Sequence, residues 1–185
     1  MNMTTIGTLS LRYAKALYGY AADNGEEVKV YDEMKYLSYE LISVPDLRKT
    51  LLNPILPFET KANIFATSVG GSISECAKHF FSFLYKREKA DLLLYIATAY
   101  LSVYRKAKGI TYVTLITAIE PHGHSVTDKI KDYIAKECNN NNIEMDIEVD
   151  PGIIGGFVIN VDGKQLNLSV KGELDKIRKS FLKNI

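Results

Sequence analysis

Two histidines, His122 and His124, stand two residues apart in a segment that also holds Pro121 and Gly123. Paired imidazoles at this spacing could bind a metal ion, but a zinc site normally has three or four protein ligands. No cysteine or third histidine stands near the pair in the sequence. We therefore expect an exposed turn here, and no metal site.

His79 is the remaining histidine, and it directly precedes Phe80 and Phe81. A general base needs a partner group within hydrogen-bond distance, and the sequence identifies no nucleophile paired with this imidazole. We expect His79 to form a hydrogen bond or a packing contact. Cys76 and Cys138 show no paired spacing, so both are predicted to be buried free thiols in a reducing compartment.

Glycine-rich segments are the remaining candidates for chemistry, because such loops can hold phosphate groups. A nucleotide-binding loop has the pattern G-x-x-x-x-G-K-[ST] between a strand and a helix. Gly70-Gly71 lacks the Lys that must follow, and Gly155-Gly156 leads into a strand rather than a helix N-terminus. We therefore predict no nucleotide, no other cofactor and no catalytic residues.

The composition of the 185 residues excludes some classes of partner. The net charge is +1, which does not suggest a nucleic-acid partner. No apolar run reaches the ~18–20 residues that span a bilayer, and the first residues do not resemble a signal peptide. We expect a soluble intracellular chain that reaches a membrane only through a partner.

Residues 1–108 have the apolar spacing of a helical bundle of about six helices. Thr8 or Ser10 could cap the first helix, which is expected to end near Asp23. Five more helices are predicted over 26–43, 46–52, 58–69, 74–86 and 89–108. In the second, Val30, Met34, Leu37 and Leu41 should face inward.

The first predicted helix carries two apolar stripes. Tyr13, Ala16 and Tyr20 form one of them, and Ala14, Leu17 and Ala21 form the other. A helix that is apolar on two sides is often buried on both. The alternative is that one stripe packs inside the bundle while the other binds a helix from a partner.

Residues 109–185 change from helical period to a mixture of strands and helices. A strand over 110–119 should be covered on both faces. A helix over 126–138 should turn Ile130, Tyr133 and Ile134 inward. A last helix should do the same with the apolar residues Val170, Leu174, Ile177 and Phe181. Together with the hairpin below, these elements predict a small domain with a mixed sheet and an α+β fold overall.

The predicted strand over 143–149 alternates apolar residues with Glu144, Asp146, Glu148 and Asp150. Alternation of this kind is typical of a half-exposed strand. Its acidic face could meet a basic partner helix, although charge runs are usually solvated, and we expect a solvated sheet face.

A turn, a strand, a hairpin and a helix then follow in the run from Asp150 to Ser169. Gly155 and Gly156 stand where the turn becomes a strand, which suggests a positive φ or close approach of another backbone. Asp162-Gly163 predicts a tight hairpin, and Ser169 is expected to cap the last helix.

This series resembles the signature of the delta subunit of F-type ATP synthases, whose mitochondrial counterpart is the oligomycin-sensitivity-conferring protein. The N-terminal part resembles the family as well, in four segments. These are the run from Arg12 to Tyr18, Leu52-Asn53-Pro54 together with Lys61, residues 80–84, and residues 96–104. The positions that carry the resemblance as a structural signature are Arg12, Asn53, Pro54, Asp150, Pro151, Gly155, Gly156 and Ser169. The chain departs from the family pattern at His79, Lys89, Asn167 and Leu168.

The resemblance implies a non-catalytic stator subunit, part of the peripheral stalk of a proton-translocating ATP synthase. Residues 1–108 would bind the catalytic head through N-terminal helices of alpha subunits, and 109–185 would bind the C-terminus of the b-subunit stalk. The chain would lie at the cytoplasmic face of the bacterial inner membrane and serve ATP synthesis and proton transport. The residues implied for the alpha contact are Tyr13, Ala16, Tyr20, His79, Phe80 and Phe83.

One alternative of another class stays open at this point. A small α+β ligand-binding module or enzyme could have its site at the domain junction. Such a site needs several polar side chains that converge on a pocket, and the sequence does not reveal such a set. Binding or hydrolysis of ATP by the purified chain would distinguish the two possibilities.

Overall fold

The computed structural model describes residues 3–53, 55–68, 73–120, 124–161 and 163–183. The helices in these ranges are α1 (Met3–Asp23), α2 (Glu27–Ser43), α3 (Pro45–Leu52), α4 (Phe58–Ser68), α5 (Glu75–Lys86), α6 (Leu93–Lys108), α7 (His124–Cys138) and α8 (Val170–Lys183). The strands are β1 (Thr111–Thr117), β2 (Ile143–Val149), β3 (Gly156–Val161) and β4 (Lys164–Ser169). The predicted α+β class, with helices first and a mixed sheet after them, is confirmed.

The chain folds as two compact units, Met1–Tyr104 and Arg105–Ile185. The division therefore falls inside α6, whereas the sequence pattern changes at Lys108-Gly109. A short 3-10 segment, Ala90–Leu92, precedes α6, so that helix begins later than the predicted Lys89.

The first helix begins at Met3, and the prediction that Thr8 or Ser10 caps it is wrong. Ser10 is buried inside the helix, and its hydroxyl has no hydrogen-bond partner among the described residues. No proline stands upstream of Ser10 to stop the helix. A residue type that can cap a helix therefore does not mark the start of this one.

The helical core contains one stripe of α1 and the inner face of α2. Ala14, Leu17 and Ala21 of α1 are buried, whereas Ala16 and Tyr20 of the other stripe are exposed. The possibility that α1 is buried on both sides is therefore wrong. The side chains buried around this stripe include Val30, Met34, Leu37, Leu41, Ala77, Phe81, Leu84, Ile96, Ala97 and Tyr100.

The C-terminal sheet has the strand order β2-β1-β3-β4. Strands β1 and β2 are parallel and joined through α7, while β1–β3 and β3–β4 are antiparallel. Ile134 of α7 packs with Val113, Leu115 and Ile159 in the core of this unit. Tyr133 was predicted to face inward with Ile134, but it is exposed, because adjacent residues on a helix point in different directions.

Burial along β1 alternates, so the prediction of a strand covered on both faces is wrong. Thr111, Val113 and Leu115 are buried, while the residues between them are half-buried. The sequence predicted burial of both faces because β-branched residues occupy both faces of β1. On the second face, however, Tyr112 lies against a charged cluster rather than an apolar layer.

That cluster also corrects the expectation of a wholly solvated acidic face on β2. Arg105 donates from Nε to Glu144 Oε2 over 2.9 Å, and its guanidinium lies 3.6 Å from the centre of the Tyr112 ring. The Tyr112 hydroxyl in turn donates to Asp146 over 2.8 Å. Two of the four acidic side chains, Glu144 and Asp146, therefore have side-chain partners within their own unit.

Candidate functional site

Helices α1 and α5 lie side by side and bring together the residues implied for a partner contact. The Tyr13 ring meets Phe80 and Phe83 edge to face, with centroids 6.5 and 6.2 Å apart. About two turns further along α1, the Tyr20 hydroxyl is 3.2 Å from His79 Nδ1. We call this surface the α1–α5 groove and define it by Tyr13, Ala16, Tyr20, His79, Phe80 and Phe83.

The six residues of the α1–α5 groove differ in how far they are open to solvent. Tyr20 and Phe83 are 44% and 42% exposed, and Ala16 and His79 are exposed too. Phe80 is only 9% exposed, and Tyr13 is half-buried. Phe80 therefore contributes mainly to the core, while the other aromatic side chains present an apolar surface with a polar edge, as helix-binding surfaces do.

Two carboxylates of the α2 region hold the start of α5, and with it one wall of the groove. Ser74 is the N-cap of α5 and accepts a hydrogen bond from the Ala77 N–H. Its own N–H and hydroxyl donate to the two oxygens of buried Glu33. Glu26 accepts from the Cys76 N–H over 3.1 Å. Negative charge at a helix N-terminus is favourable, so these contacts fix the position of α5.

The sequence analysis did not predict these capping contacts. Hydrogen bonds from the side chain and backbone of Cys76 lower the pKa of Glu26. Burial raises the pKa of Glu33, because the surroundings disfavour its charged form. The spacing of Glu26 and Glu33, one heptad apart, is the signal that could have placed both on one side of α2.

Arg87 lies next to the α1–α5 groove, in contact with Phe83. Its guanidinium lies 5.5 Å from the centre of the Phe83 ring, which is within the range of a cation–π contact. Arg87 thus places a positive charge at the end of the α1–α5 groove.

The chemistry of the described residues gives no support to catalysis. Cys76 is buried and burial raises its pKa to about 12, so its thiol is unreactive at neutral pH. Cys138 is exposed, contrary to the prediction that both thiols are buried. No group of three or more metal-binding side chains occurs in the described ranges. The turn residues Pro121, His122 and Gly123 lie outside them, and the backbone of His124 begins α7.

A second candidate surface is the apolar side of α8, formed by Val170, Leu174, Ile177 and Phe181. We call it the α8 face. The prediction that these side chains face inward is wrong, because they are between 42% and 69% exposed. Leu166 and Leu168 of the preceding strand are exposed as well. The pattern predicted an apolar face correctly, but a pattern cannot identify which chain covers that face.

The glycine-rich signature has a structural role, in the turn between β2 and β3. The Asp150 carboxylate accepts from the Gly152 N–H over 2.8 Å and caps a short 3-10 turn that begins at Pro151. Gly156 has φ +72°, and a Cβ atom there would overlap the carbonyl oxygen of Leu168. Gly156 therefore meets both expectations, positive φ and close backbone approach, whereas Gly155 meets neither and faces only the side chain of Val170.

The other signature positions also form local structure. Ser169 accepts from the Gly172 N–H over 3.0 Å and so caps α8 as predicted. The Asn167 carboxamide, a departure from the family pattern, accepts from Ser169. Asn53 ends α3 and accepts from the Ile55 N–H. Arg12 is exposed on α1. Pro54 and Asp162 lie outside the described residues.

Comparison with known proteins gives one consistent result over nearly the whole chain. The sequence profile of the family described as ATP synthase delta (OSCP) subunit matches residues 9–181. The ATP synthase subunit delta of Parabacteroides distasonis is 35% identical over 97% of this chain and 98% of its own length. That of Phocaeicola vulgatus is 32% identical, covering 96% and 95%.

A solved structure supports the fold independently. A chain in the cryo-EM structure of the Toxoplasma gondii mitochondrial ATP synthase hexamer superposes with a TM-score of 0.72. The match covers 94% of this chain and 97% of that one, at 20% identity. From the profile match and the close relatives we conclude that this chain belongs to the ATP synthase delta (OSCP) subunit family.

Proposed function

We propose that this chain is the non-catalytic stator subunit of a proton-translocating F-type ATP synthase, joining the catalytic head to the peripheral stalk. The observation that carries this proposal is the family match over residues 9–181. A stator must resist the torque of a turning rotor, so it needs stable contacts at two places and no catalytic group of its own. The two apolar surfaces, one on each compact unit, are suited to such contacts.

The α1–α5 groove is the proposed contact with the head, through N-terminal helices of alpha subunits. Its exposed aromatic residues offer a partner helix an apolar surface. Binding there would bury a large apolar area, and the aromatic side chains would lose little conformational entropy. Ala16, the smallest of the six residues, lies between Tyr13 and Tyr20 at helical spacing. A small residue there allows close approach of a partner backbone.

The α8 face is the proposed contact with the C-terminus of the b-subunit stalk. Every hydrophobic side chain of this face is open to solvent in the isolated chain, and large exposed apolar surfaces commonly mark protein interfaces. Lysines and Arg178 occupy other positions of the same helix, which keeps the rest of α8 polar. The roles thus divide between the units, with the head bound by the first and the stalk by the second.

The proposed location is the cytoplasmic face of the bacterial inner membrane, reached through the other subunits of the complex. Among the described helices, none is long and apolar enough to cross a bilayer. In this position the subunit takes part in ATP synthesis driven by proton transport.

Calorimetric titration of the full chain with two peptides tests the proposal. One peptide carries the N-terminal residues of the alpha subunit of the same ATP synthase, and the other carries the C-terminal residues of its b subunit. We expect both to bind the same molecule, each with an affinity that the other leaves unchanged. Competition between the two peptides, or failure of both to bind, would contradict the adaptor role. Added ATP should leave the melting temperature unchanged.

A further inference from the structure

Lys61 of α4 is a buried ammonium group that has no anionic partner among the described residues. Its side chain is 4% exposed, and Nζ lies 4.3 Å from the centre of the Tyr85 ring of α5. Among the described residues no carboxylate or carbonyl oxygen accepts a hydrogen bond from this Nζ. Buried charges are ordinarily paired, so the cation–π contact leaves the charge of Lys61 only partly compensated.

An open pocket of about 610 Å³ has Lys61 among its lining residues. Four of the seven lining residues are apolar or aromatic: Leu56, Phe58, Tyr85 and Ala90. The volume is within the ~300–1,000 Å³ that small-molecule sites occupy. A cavity with apolar and aromatic walls and one buried cation that is only partly compensated has the general composition of a ligand site.

Two exposed carboxylates, Glu88 and Asp91, also line the pocket. They restrict the kind of anion that can enter. A phosphate with two negative charges would be repelled by both, and an uncharged ligand would leave Lys61 unpaired. A single negative charge carried at the end of an apolar body satisfies the cation and fits the walls.

We propose that this pocket binds an organic monocarboxylate with an apolar body, whose carboxylate pairs with Lys61 while the body lies between Phe58 and Tyr85. Burial lowers the pKa of Lys61, and a bound carboxylate would oppose this effect by favouring the charged form. The site lies between the start of α4 and the segment from the end of α5 to Asp91, and it contains none of the residues of the α1–α5 groove. It is therefore separate from the proposed alpha contact.

Titration of the ¹⁵N-labelled full chain, followed by NMR, tests the proposal with octanoate as the probe. We expect saturable shifts at backbone amides of 58–62 and 85–91, with half-saturation at ~1 mM, a typical affinity for so small a ligand. The uncharged 1-octanol should bind about tenfold more weakly, because it cannot form the charge-assisted hydrogen bond. Inorganic phosphate should shift none of these amides. Equal binding of octanoate and octanol would overturn the proposal.

Three variants locate the charge that is responsible. Lys61→Met keeps an apolar stem of similar length and should weaken octanoate about tenfold while leaving octanol unchanged. Lys78→Met removes an exposed lysine of α5 and is the matched control, with unchanged binding. Asp91→Asn removes a repelling charge and should strengthen octanoate about twofold.

The stability of Lys61→Met is part of the same test. Replacing an unpaired buried charge with an apolar side chain is expected to keep or raise the melting temperature. If the variant binds octanoate as tightly as the wild type, the proposal is wrong. If it fails to fold, Asp91→Asn decides, and octanoate affinity that does not rise in that variant also overturns the proposal.

Discussion

The hydroxyl of Tyr20 lies 3.2 Å from Nδ1 of His79, although the two residues are 59 positions apart in the chain. This contact joins the exposed edge of α1 to that of α5 at one end of the α1–α5 groove. His79 is a departure from the family pattern, and it forms a hydrogen bond, one of the two roles that the sequence predicted for it. The α1–α5 groove is thus present in the isolated chain.

Ala16→Glu should weaken binding of the alpha peptide by about 2 kcal/mol or more, because a partner helix would bury an unpaired carboxylate. Calorimetric titration measures the change. Ala22→Glu is the matched control, since Ala22 is also exposed on α1 but lies outside the spacing of Tyr13, Ala16 and Tyr20. Equal affinity of the two folded variants would remove the groove as the binding site.

Phe83→Ala and Phe80→Ala should separate binding from stability. Phe83 is largely open, so its loss should reduce alpha-peptide affinity by about 2 kcal/mol with little effect on unfolding. Phe80 is buried, and its truncation should lower the free energy of unfolding by about 3–5 kcal/mol. Urea denaturation and calorimetry on both variants check this. A large stability loss in Phe83→Ala would place that ring in the core.

Glu33 should make the stability of the helical unit depend on pH in the range above the ordinary pKa of a glutamate side chain. Burial raises the pKa of Glu33 in the folded chain, so the folded state binds more protons than the unfolded state just above that value. Its contribution to stability is present below the unfolded pKa of about 4.5 and is lost as pH rises through the folded pKa. Glu33→Gln should flatten this part of the stability profile, measured by urea denaturation between about pH 4 and 7.

A second substitution at Glu33 provides the control for that experiment. Glu33→Leu leaves the N–H and hydroxyl of Ser74 without their acceptors and should cost about 1–3 kcal/mol at neutral pH. Glu33→Gln retains an acceptor oxygen and should cost less. An unchanged pH profile in Glu33→Gln would show that another group is responsible.

Gly156→Ala should destabilise the C-terminal unit by about 1–3 kcal/mol, because its Cβ would overlap the Leu168 carbonyl at a positive φ. The same reason predicts destabilisation in Gly156→Val. Gly163→Ala is the control, since Gly163 also has a positive φ but open space around it. It should cost only about 1 kcal/mol. Hydrogen exchange of β3 and β4 amides in the full chain measures both, and equal losses would refute the overlap.

Ile177→Asp should weaken binding of the b-subunit peptide by about 2 kcal/mol or more, while leaving the melting temperature nearly unchanged. The side chain is exposed, so its replacement removes no core packing. Lys179→Asp introduces the same residue on another side of α8 and should leave affinity within about 1 kcal/mol. A marked loss of stability in Ile177→Asp would mean that the α8 face is covered by the chain itself.

The sequence alone determined the class of fold and the order of its elements, because apolar periodicity and turn residues are local signals. Residue type alone predicted three local features: the change from helices to strands at Gly109, the helix cap at Ser169, and the need for glycine at position 156. The two stripes of α1 were visible too, but not which of them faces the core. Local pattern gives the direction of a side chain on its own helix, not the neighbour it meets.

The tertiary structure decided which apolar surfaces have partners within the chain. Leu17 is buried and Tyr20 is exposed, although both lie on apolar stripes of α1. Ile177 is exposed as well, although the apolar spacing of α8 predicted that it lies in the core. The tertiary structure also brought Glu33 to Ser74 and Lys61 to Tyr85, contacts between residues far apart in sequence. Such contacts depend on how helices pack against each other, and hydrophobic spacing is the same whether the covering surface comes from this chain or from another.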